Sequence, residues 1–325
     1  MAVMASGQYT MGPRVAEFEQ AYAEYCGTKY CVAVNSGSSA NLLMVAAYTL
    51  RYRPGVVVVP AVGWATSYSP FQQYGWELIF VDIDRDTLNY DLKQLRAACE
   101  RHRPDIILAI NLLGNPNEFN EFPDVPIIED NCEAMGAEYD QKKTGSFGIM
   151  ASHSTFFSHH ICTMEGGLIT TDDPFYRDML LSLRSHGWTR HLGESNRLNA
   201  KVDKFNFILP GYNVRPTEMQ AAIGLEQLRK LDGFVAQRRE NAKRLPWRTQ
   251  REIGRSSWFG FVIFDDDRKK VEGKYETRPV VTGNFLRQEV IRHYRYARFG
   301  DMSDADYIHD NALMIGNSHQ RIEWE

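Results

Sequence analysis

The fold is decided by residues 31–81, which read CVAVNSGSSANLLMVAAYTLRYRPGVVVVPAVGWATSYSPFQQYGWELIFV. Three short apolar runs, at 31–34, 56–59 and 78–81, alternate with helical stretches at 41–50 and around 67–74. Short apolar runs bounded by turn residues are typical of buried strands. The order strand, helix, strand, helix, strand therefore predicts a parallel sheet.

The same alternation continues toward the C-terminus. We predict an amphipathic helix at 92–103 and strands at 105–111, 127–130 and 152–157, which together make an α/β fold with a mostly parallel sheet and helices on both faces. From about Arg215 the pattern changes to a long helix ending near Leu231, followed by mixed segments with a strand-like stretch at 258–263. We expect a large cofactor-binding α/β domain at 1–214 and a smaller C-terminal α+β domain at 215–325.

Composition excludes several classes of function. The 325 residues carry a net charge of −4 without runs of Lys or Arg, which argues against a nucleic-acid partner. The longest apolar runs are far too short to span a membrane and no signal-peptide pattern opens the chain, so we expect a cytoplasmic protein with no membrane partner. Five scattered cysteines suggest neither disulfides nor a metal site, and they are too few and too dispersed for an iron–sulfur cluster.

Residues 35–41, NSGSSAN, lie where the first predicted strand gives way to a helix. Small residues at this junction let backbone N–H groups approach an anion, so the string is a candidate phosphate site. An ordinary Ser or Asn helix cap explains the same string equally well.

Residues 127–133, IIEDNCE, run from a buried strand directly into carboxylates at the edge of the sheet where open α/β sheets bind ligands. Asp130 is a candidate partner for a pyridine nitrogen, because a carboxylate there keeps the ring protonated and able to accept electrons. A helix cap or a magnesium ligand is the alternative interpretation.

Residues 154–167, STFFSHHICTMEGG, complete a pattern that resembles the DegT/DnrJ/StrS-type sugar aminotransferase family, whose members have the aspartate aminotransferase-like fold of type I pyridoxal phosphate (PLP) enzymes. In that family a serine is followed, after four residues, by the lysine that binds PLP covalently, and then by a Glu-Gly-Gly turn. Here the position of the lysine falls on His159. Further matching strings occur in family order, at 10–13, 18–19, 211–216 and 220–224.

The resemblance implies a role for each matched residue. Ser38 and Ser39 would donate backbone N–H groups to the phosphate and Ser154 would add its hydroxyl, Trp64 would stack on the ring, Asp130 would pair with the pyridinium and Glu133 would lie near the ring hydroxyl. Asn213 would reach the phosphate of a neighbouring subunit, which implies a homodimer with shared active sites. Trp64 is otherwise a core aromatic and Asn213 a turn residue. The implied cofactor-binding set is Gly37, Ser38, Ser39, Trp64, Asp130, Glu133, Ser154 and Asn213.

The histidine narrows the reaction, because an imidazole cannot anchor the cofactor as an amine does but can move protons near neutral pH. Strings at 130–133, 158–160, 276–279 with 283–284, and 309–311 with 316–317 resemble the 3-dehydratases of nucleotide-linked 4-keto-6-deoxyhexoses, most closely the GDP-4-keto-6-deoxymannose enzymes. That resemblance implies that L-glutamate converts PLP to pyridoxamine phosphate (PMP) and that the sugar C3 hydroxyl then leaves, with His159 as acid and base. Adjacent side chains diverge, so His160 should face away, and Lys142 and Lys143 fit a solvated hairpin turn.

Substrate contacts are less determined. Arg278, Asn284 and His309 are candidates to meet the nucleotide sugar, and each is equally plausible as a surface loop residue. The chain also has shortened segments near its start and at 245–257 relative to the family pattern. A conventional nucleotide-sugar aminotransferase and a catalytically degraded binding subunit are therefore the alternative functions.

Overall fold

A computed structural model describes residues 2–324 and gives ten α-helices and thirteen strands in that range. The helices are α1 (Ala2–Ser6), α2 (Pro13–Cys26), α3 (Gly37–Tyr52), α4 (Ala65–Gln73), α5 (Leu92–His102), α6 (Pro174–Leu183), α7 (Glu218–Leu228), α8 (Leu231–Lys243), α9 (Arg268–Val271) and α10 (Ser303–Asn311). The strands are β1 (Tyr30–Val34), β2 (Val56–Pro60), β3 (Glu77–Val81), β4 (Ile106–Ile110), β5 (Ile127–Asp130), β6 (Glu138–Tyr139), β7 (Lys142–Lys143), β8 (Met150–Ser154), β9 (Gly167–Thr171), β10 (Gly260–Phe264), β11 (Thr277–Arg278), β12 (Tyr296–Phe299) and β13 (Ala312–Gly316).

The central sheet has eight strands in the order β1-β9-β8-β5-β4-β2-β3-β12. All neighbours from β8 to β12 are parallel, and β9 runs antiparallel to both β1 and β8. Side chains on both faces are buried; Val57, Val58 and Val59, for example, have no exposed surface. Burial on both faces explains why these strands are uninterrupted apolar runs, and the predicted α/β class is confirmed.

The C-terminal part of the chain has a second, three-stranded antiparallel sheet in the order β10-β13-β11. The C-terminal part of the chain is not wholly separate from the large sheet, because its strand β12 joins the edge of that sheet beside β3. The domain boundary at residue 214 therefore stays a prediction.

Several predicted elements differ in extent from the observed ones; the strand predicted at 152–157, for example, is Met150–Ser154. The single helix predicted from Arg215 to Leu231 is two helices, α7 and α8, separated at residues 229–230, and the strand predicted at 258–263 is Gly260–Phe264. Helix α7 begins with a capping box formed by Thr217 and Gln220, which fixes its start more firmly than hydrophobic spacing alone could.

Residues in the strings that resemble the family, at 10–13, 18–19 and 220–224, pack the N-terminal segment against α7. The buried Glu218 carboxylate accepts the backbone N–H groups of Gly12, Arg14 and Val15, so it caps the start of α2. A Cβ at Gly224 would lie 2.6 Å from the Phe18 ring, so this close packing requires glycine. Over residues 2–324, no helix combines the length and the apolar character needed to cross a membrane.

Candidate active site

A cavity of about 360 Å³ lies at the carboxyl edge of the parallel strands. This is the edge where open α/β sheets bind ligands, and the volume is in the range of small-molecule sites. The residues that line it come from the start of α3, the segment after β2, the ends of β4, β5 and β8 with the loops that follow them, and the C-terminal region: Ser36, Gly37, Ser38, Asn41, Trp64, Thr66, Ser67, Ile110, Asn111, Leu112, Asp130, Cys132, Glu133, Ser154, Phe156, Ser158, His159, Glu165, Phe259, Arg278, Val281 and Met314.

The start of α3 forms one end of the cavity. Ser36 caps the helix, and its Oγ accepts the N–H of Ser39 at 3.0 Å, so the helix-cap interpretation of the 35–41 string applies to this pair. The N–H groups of Gly37 and Ser38 precede the first intrahelical hydrogen bond and point along the helix axis. A Cβ at Gly37 would lie 2.8 Å from Cβ of Ser154, so glycine is required for α3 to approach β8 this closely.

Asp130 ends β5 and is held by four hydrogen bonds. Its Oδ2 accepts from Asn41 Nδ2 at 2.8 Å and from Ser67 Oγ at 2.6 Å, while Oδ1 accepts from the N–H of Cys132 and the hydroxyl of Ser152. The side chain is almost fully buried yet lines the cavity. This arrangement presents an oriented carboxylate to any ligand in the cavity.

Glu133 lies one turn further along the same segment, and its Oε2 accepts the N–H of Leu113 at 2.9 Å. Desolvation raises the pKa of Glu133 to about 7; the charge of Asp130 acts in the same direction, and the guanidinium of Arg278 acts against it. At neutral pH this carboxyl group therefore exchanges readily between its two protonation states.

His159 projects into the cavity from the loop between β8 and β9. The loop is closed at its base by Thr155 and Thr163, whose hydroxyls are 2.5 Å apart, and the N–H of Thr163 donates to the carbonyl of Thr155. The ring of His159 makes no hydrogen bond to any described residue, and its Nδ1 is enclosed. Burial lowers the pKa of His159 to about 4; Asp130 opposes this shift, and the charge of Arg238 adds to it.

The neighbouring histidine points elsewhere. His160 is buried outside the cavity lining, with Nε2 3.2 Å from the carbonyl oxygen of Ser257. Lys142 and Lys143 form the β6–β7 hairpin, where Lys143 pairs with Glu138. The described lining of the cavity thus contains one histidine and no lysine.

Of the predicted cofactor-binding residues, the structure brings together Gly37, Ser38, Trp64, Asp130, Glu133 and Ser154. Trp64 is 56% exposed and lines the cavity, so the core-aromatic alternative does not apply to it. Ser39 is outside the described lining because its N–H already donates to Ser36. Asn213 does not line the cavity of its own subunit either. It pairs with Ser185 in an isolated β-bridge.

The three candidate substrate residues have different surroundings. Arg278, on β11, lines the cavity, whereas Asn284 and His309 are not among its described lining residues. Asn284 is buried, accepts the N–H of Leu286 and donates to Asp306, which is the pattern of a turn cap. His309 packs against Gly283, where a Cβ would lie 2.5 Å from Nδ1 of the histidine.

Sequence reasoning missed several lining residues, chiefly Thr66, Ser67, Leu112 and Phe259. Thr66 and Ser67 lie two and three residues after Trp64, so their place after β2 at the same sheet edge was a usable signal. Phe259 is about one hundred residues from His159 in sequence, and no local pattern connects the two.

The chain is similar to a known protein family and to characterised members of it. Residues 1–270 match the DegT/DnrJ/EryC1/StrS aminotransferase family. GDP-4-keto-6-deoxy-D-mannose 3-dehydratase from Yersinia pseudotuberculosis is 46% identical, over 98% of this chain and 90% of the relative.

Two solved structures of GDP-4-keto-6-deoxymannose-3-dehydratase superpose with TM-scores of 0.93. One is a mutant with bound GDP-perosamine, 44% identical, covering 98% of this chain and 92% of that chain. The other contains a trapped PLP-glutamate geminal diamine and is 43% identical, covering 99% and 92%. The predicted aminotransferase-type fold is confirmed, and the chain belongs to the DegT/DnrJ/EryC1/StrS aminotransferase family.

Proposed function

We propose that this protein is a PLP/PMP-dependent 3-dehydratase of a nucleotide-linked 4-keto-6-deoxyhexose, with L-glutamate as amino donor and His159 as acid and base. The observation that carries the proposal is the placement of His159 in a cavity that also contains Asp130 and the start of α3 but whose described lining has no lysine. Two relatives named GDP-4-keto-6-deoxy-D-mannose 3-dehydratase support the same reaction. They are 46% and 44% identical over 98% of this chain.

The cavity fits pyridoxal phosphate on three counts. The first N–H groups of α3 form an anion site, and the Ser154 hydroxyl lies beside Gly37. Asp130 offers a buried carboxylate for a pyridinium nitrogen, and Trp64 offers an exposed aromatic face for a flat ring. His159 lines the same cavity, and its ring has no hydrogen-bond partner among the described residues, so Nε2 is free to meet a ligand.

When bound, the cofactor supplies an electron sink, and in its pyridoxamine form it supplies the amine that condenses with the C4 ketone of the sugar. Residues of the chain bind and orient the cofactor. The start of α3 and Ser154 hold the phosphate, Trp64 fixes the plane of the ring, and the Asp130 carboxylate keeps a proton on the ring nitrogen. Glu133 would lie at the ring hydroxyl.

His159 moves the protons. Because its Nδ1 is enclosed, Nε2 is the nitrogen that can exchange a proton with a ligand. The lowered pKa keeps the imidazole neutral before the reaction, so Nε2 is ready to accept a proton from carbon and then to return it to the departing C3 hydroxyl. The overall exchange is balanced: one L-glutamate and one sugar give one 3-deoxy sugar, one 2-oxoglutarate and one ammonia.

A homodimer with shared active sites is part of the proposal. Tyr9, Met164 and Met219 are large apolar side chains that are 54%, 51% and 42% exposed. They lie next to the cavity, because the N–H of Glu218 donates to the Tyr9 carbonyl and Gln220 Nε2 donates to the carbonyl of Glu165, a lining residue. Such an apolar rim fits a second copy of the chain, and analytical ultracentrifugation tests it.

The first experiment mixes the protein with PLP and excess L-glutamate and follows the cofactor absorption. We expect conversion to the pyridoxamine spectrum by the wild type and a rate lower by about 10²- to 10⁴-fold in His159→Ala. A cofactor that binds but does not change would contradict the proposal and favour the degraded binding subunit. Equal rates in both proteins would contradict the role of His159. The cytoplasmic location and the absence of nucleic-acid and membrane partners stay predictions.

A further inference from the structure

Packing is what orients the ring of His159, since the imidazole makes no hydrogen bond to a described residue. The Phe259 ring also lines the cavity, with its centroid 5.1 Å from that of His159 and the planes inclined by 53°. Phe156 is 6.0 Å away, but it belongs to the same loop and would move with the histidine. Of these two aromatic contacts, Phe259 is therefore the one that connects His159 to a distant part of the chain.

The backbone that carries Phe259 is held by a buried polar cluster. Asn317 donates its N–H to the Phe259 carbonyl at 3.1 Å and its Nδ2 to the Trp258 carbonyl at 2.8 Å. Arg238 Nη1 donates to the Phe259 carbonyl at 3.3 Å and to the Asn317 carbonyl at 2.6 Å. Asn317 directly follows Gly316, the last residue of β13, and the proposed reaction assigns it no task.

Arg238 is unusual for a buried cation. It is 3% exposed, and among the described side chains no carboxylate forms an ion pair with it. Burial lowers the pKa of its guanidinium to about 10. Burying a charge without an opposite charge is costly, so its retention here, on backbone carbonyls and near the Phe259 ring, argues for a task.

The same segment also meets the loop that holds Glu133. The N–H of Phe259 donates to the Leu113 carbonyl at 2.9 Å, and the N–H of Leu113 donates to Glu133. Leu113 and Trp258 both have left-handed backbone conformations, with φ of 52° and 48°. Non-glycine residues keep such conformations only where contacts with the surrounding structure offset the backbone strain. Such residues are most frequent at functional sites.

We propose that Phe259 is a positioning residue that fixes the imidazole of His159 for proton transfer, and that Arg238 and Asn317 hold Phe259 in place. This inference rests on the proposed function for its catalytic consequence. Proton transfer requires the acceptor nitrogen within hydrogen-bond reach of the proton, and a displacement of about 1 Å costs on the order of 10²-fold in rate. A ring with no hydrogen-bond partner depends on its packing for that accuracy.

The test uses three variants of nearby aromatic residues. Phe259→Leu removes the aromatic face, and Phe259→Tyr keeps it. Phe261→Leu is the matched control, because Phe261 lies two residues further along, on β10, is fully buried and packs against Trp258 and Trp324.

The first readout is independent of activity. The ¹³C–¹H signal of the His159 ring is recorded in cofactor-free protein labelled at histidine and assigned by its loss in His159→Asn. We expect Phe259→Leu to shift and broaden this signal, and Phe259→Tyr and Phe261→Leu to leave it sharp and near the wild-type position. The second readout is the glutamate-dependent absorption change, which should fall by about 10²-fold in Phe259→Leu only. PLP affinity should stay near that of the wild type in all three.

An unchanged His159 signal and rate in Phe259→Leu would overturn the inference, and so would an equal loss of rate in Phe261→Leu. If no variant reacts with glutamate, the proposed function fails and the His159 signal still decides the positioning claim. If Phe259→Leu does not fold, Arg238→Lys replaces it, because an ammonium group cannot span both carbonyls. It should broaden the same signal, and a sharp, unshifted signal would overturn the inference.

Discussion

Two histidines six residues apart, the buried His153 on β8 and the partly buried His159 in the loop that follows, differ in their hydrogen bonding, and that difference separates a structural residue from a functional one. His153 is fully satisfied: Nδ1 lies 2.9 Å from the Tyr22 hydroxyl and Nε2 lies 2.9 Å from Thr170 Oγ1. His159 lines a cavity and has no hydrogen-bond partner among the described residues. Because His159 both lines the cavity and has no protein partner for its ring, a bound ligand is the group it can meet.

The pKa does not separate the two residues. Burial lowers the pKa of His153 to about 3 and that of His159 to about 4. Only His159 also has a nearby carboxylate, Asp130, acting in the opposite direction. The comparison teaches that a displaced pKa indicates burial, whereas unmet hydrogen bonding toward a cavity indicates a task.

The largest expected effect comes from restoring an amine at the site. His159→Lys places a desolvated, nucleophilic amine in the cavity. We expect borohydride treatment with PLP to leave covalently bound cofactor, by mass spectrometry, in His159→Lys and none in the wild type. Covalent labelling of the wild type would show that another lysine reaches the cofactor, which would contradict the lysine-free site.

Truncation of the other histidine should affect stability instead. His153→Ala leaves the Tyr22 and Thr170 hydroxyls without their buried partner and creates a cavity, at a cost of about 2–4 kcal/mol in the free energy of unfolding. Urea denaturation measures the loss, and the glutamate half-reaction of the folded fraction should remain close to that of the wild type. A large loss of rate without a loss of stability would reverse the roles assigned to the two residues.

Acid should destabilise the protein through the same group. Below pH 6.5 the unfolded chain protonates His153, while the folded chain resists protonation until about pH 3. The stability contributed by neutral His153 is thus present above pH 6.5 and falls between pH 6.5 and 3, at about 1.4 kcal/mol per pH unit. Denaturation curves at pH 7, 5.5 and 4.5 should show a shallower decline in His153→Gln. Parallel declines in both proteins would refute the assignment.

A smaller effect is expected where α3 approaches β8. Gly37→Ala would bring a Cβ within 2.8 Å of Ser154 Cβ and 2.9 Å of Cys132 Sγ, so the start of the helix must move away from the phosphate site. We expect PLP affinity to fall by about tenfold, the equivalent of one displaced charge-assisted hydrogen bond. Gly193→Ala is the control, because a Cβ there meets nothing within 4 Å. Equal PLP affinities in the two variants would place the phosphate elsewhere.

Much of the cofactor half of the cavity was predictable. Asp130 and Ser38 follow strands at the edge of the sheet where ligands bind, and parallel topology brings such positions together from distant parts of the chain. His159 was identified only through the family pattern, because nothing local distinguishes it from His160. What separates them in the structure is the direction of each side chain, which depends on the turn closed by Thr155 and Thr163.

The cavity-lining residues that come from the C-terminal part of the chain were much less predictable. Phe259 and Arg278 reach the cavity through the packing of the small sheet, while Asn284 and His309, of the same residue types as many substrate ligands, do not line it. The parallel pairing of β12 with β3 was also unforeseen, because Tyr296–Phe299 alternates between exposed and half-buried residues at the edge of the sheet. Long-range packing decides these contacts, and a local pattern carries no record of it.

The central claim is that the histidine site removes an oxygen from the sugar instead of delivering nitrogen to it. The most direct test incubates the protein with PLP, L-glutamate and GDP-4-keto-6-deoxymannose and quantifies sugar product, 2-oxoglutarate and ammonia by mass spectrometry and an ammonia assay. The account predicts a 3-deoxy sugar nucleotide with equal amounts of 2-oxoglutarate and ammonia. A 4-amino sugar nucleotide formed without ammonia would contradict it and identify an aminotransferase.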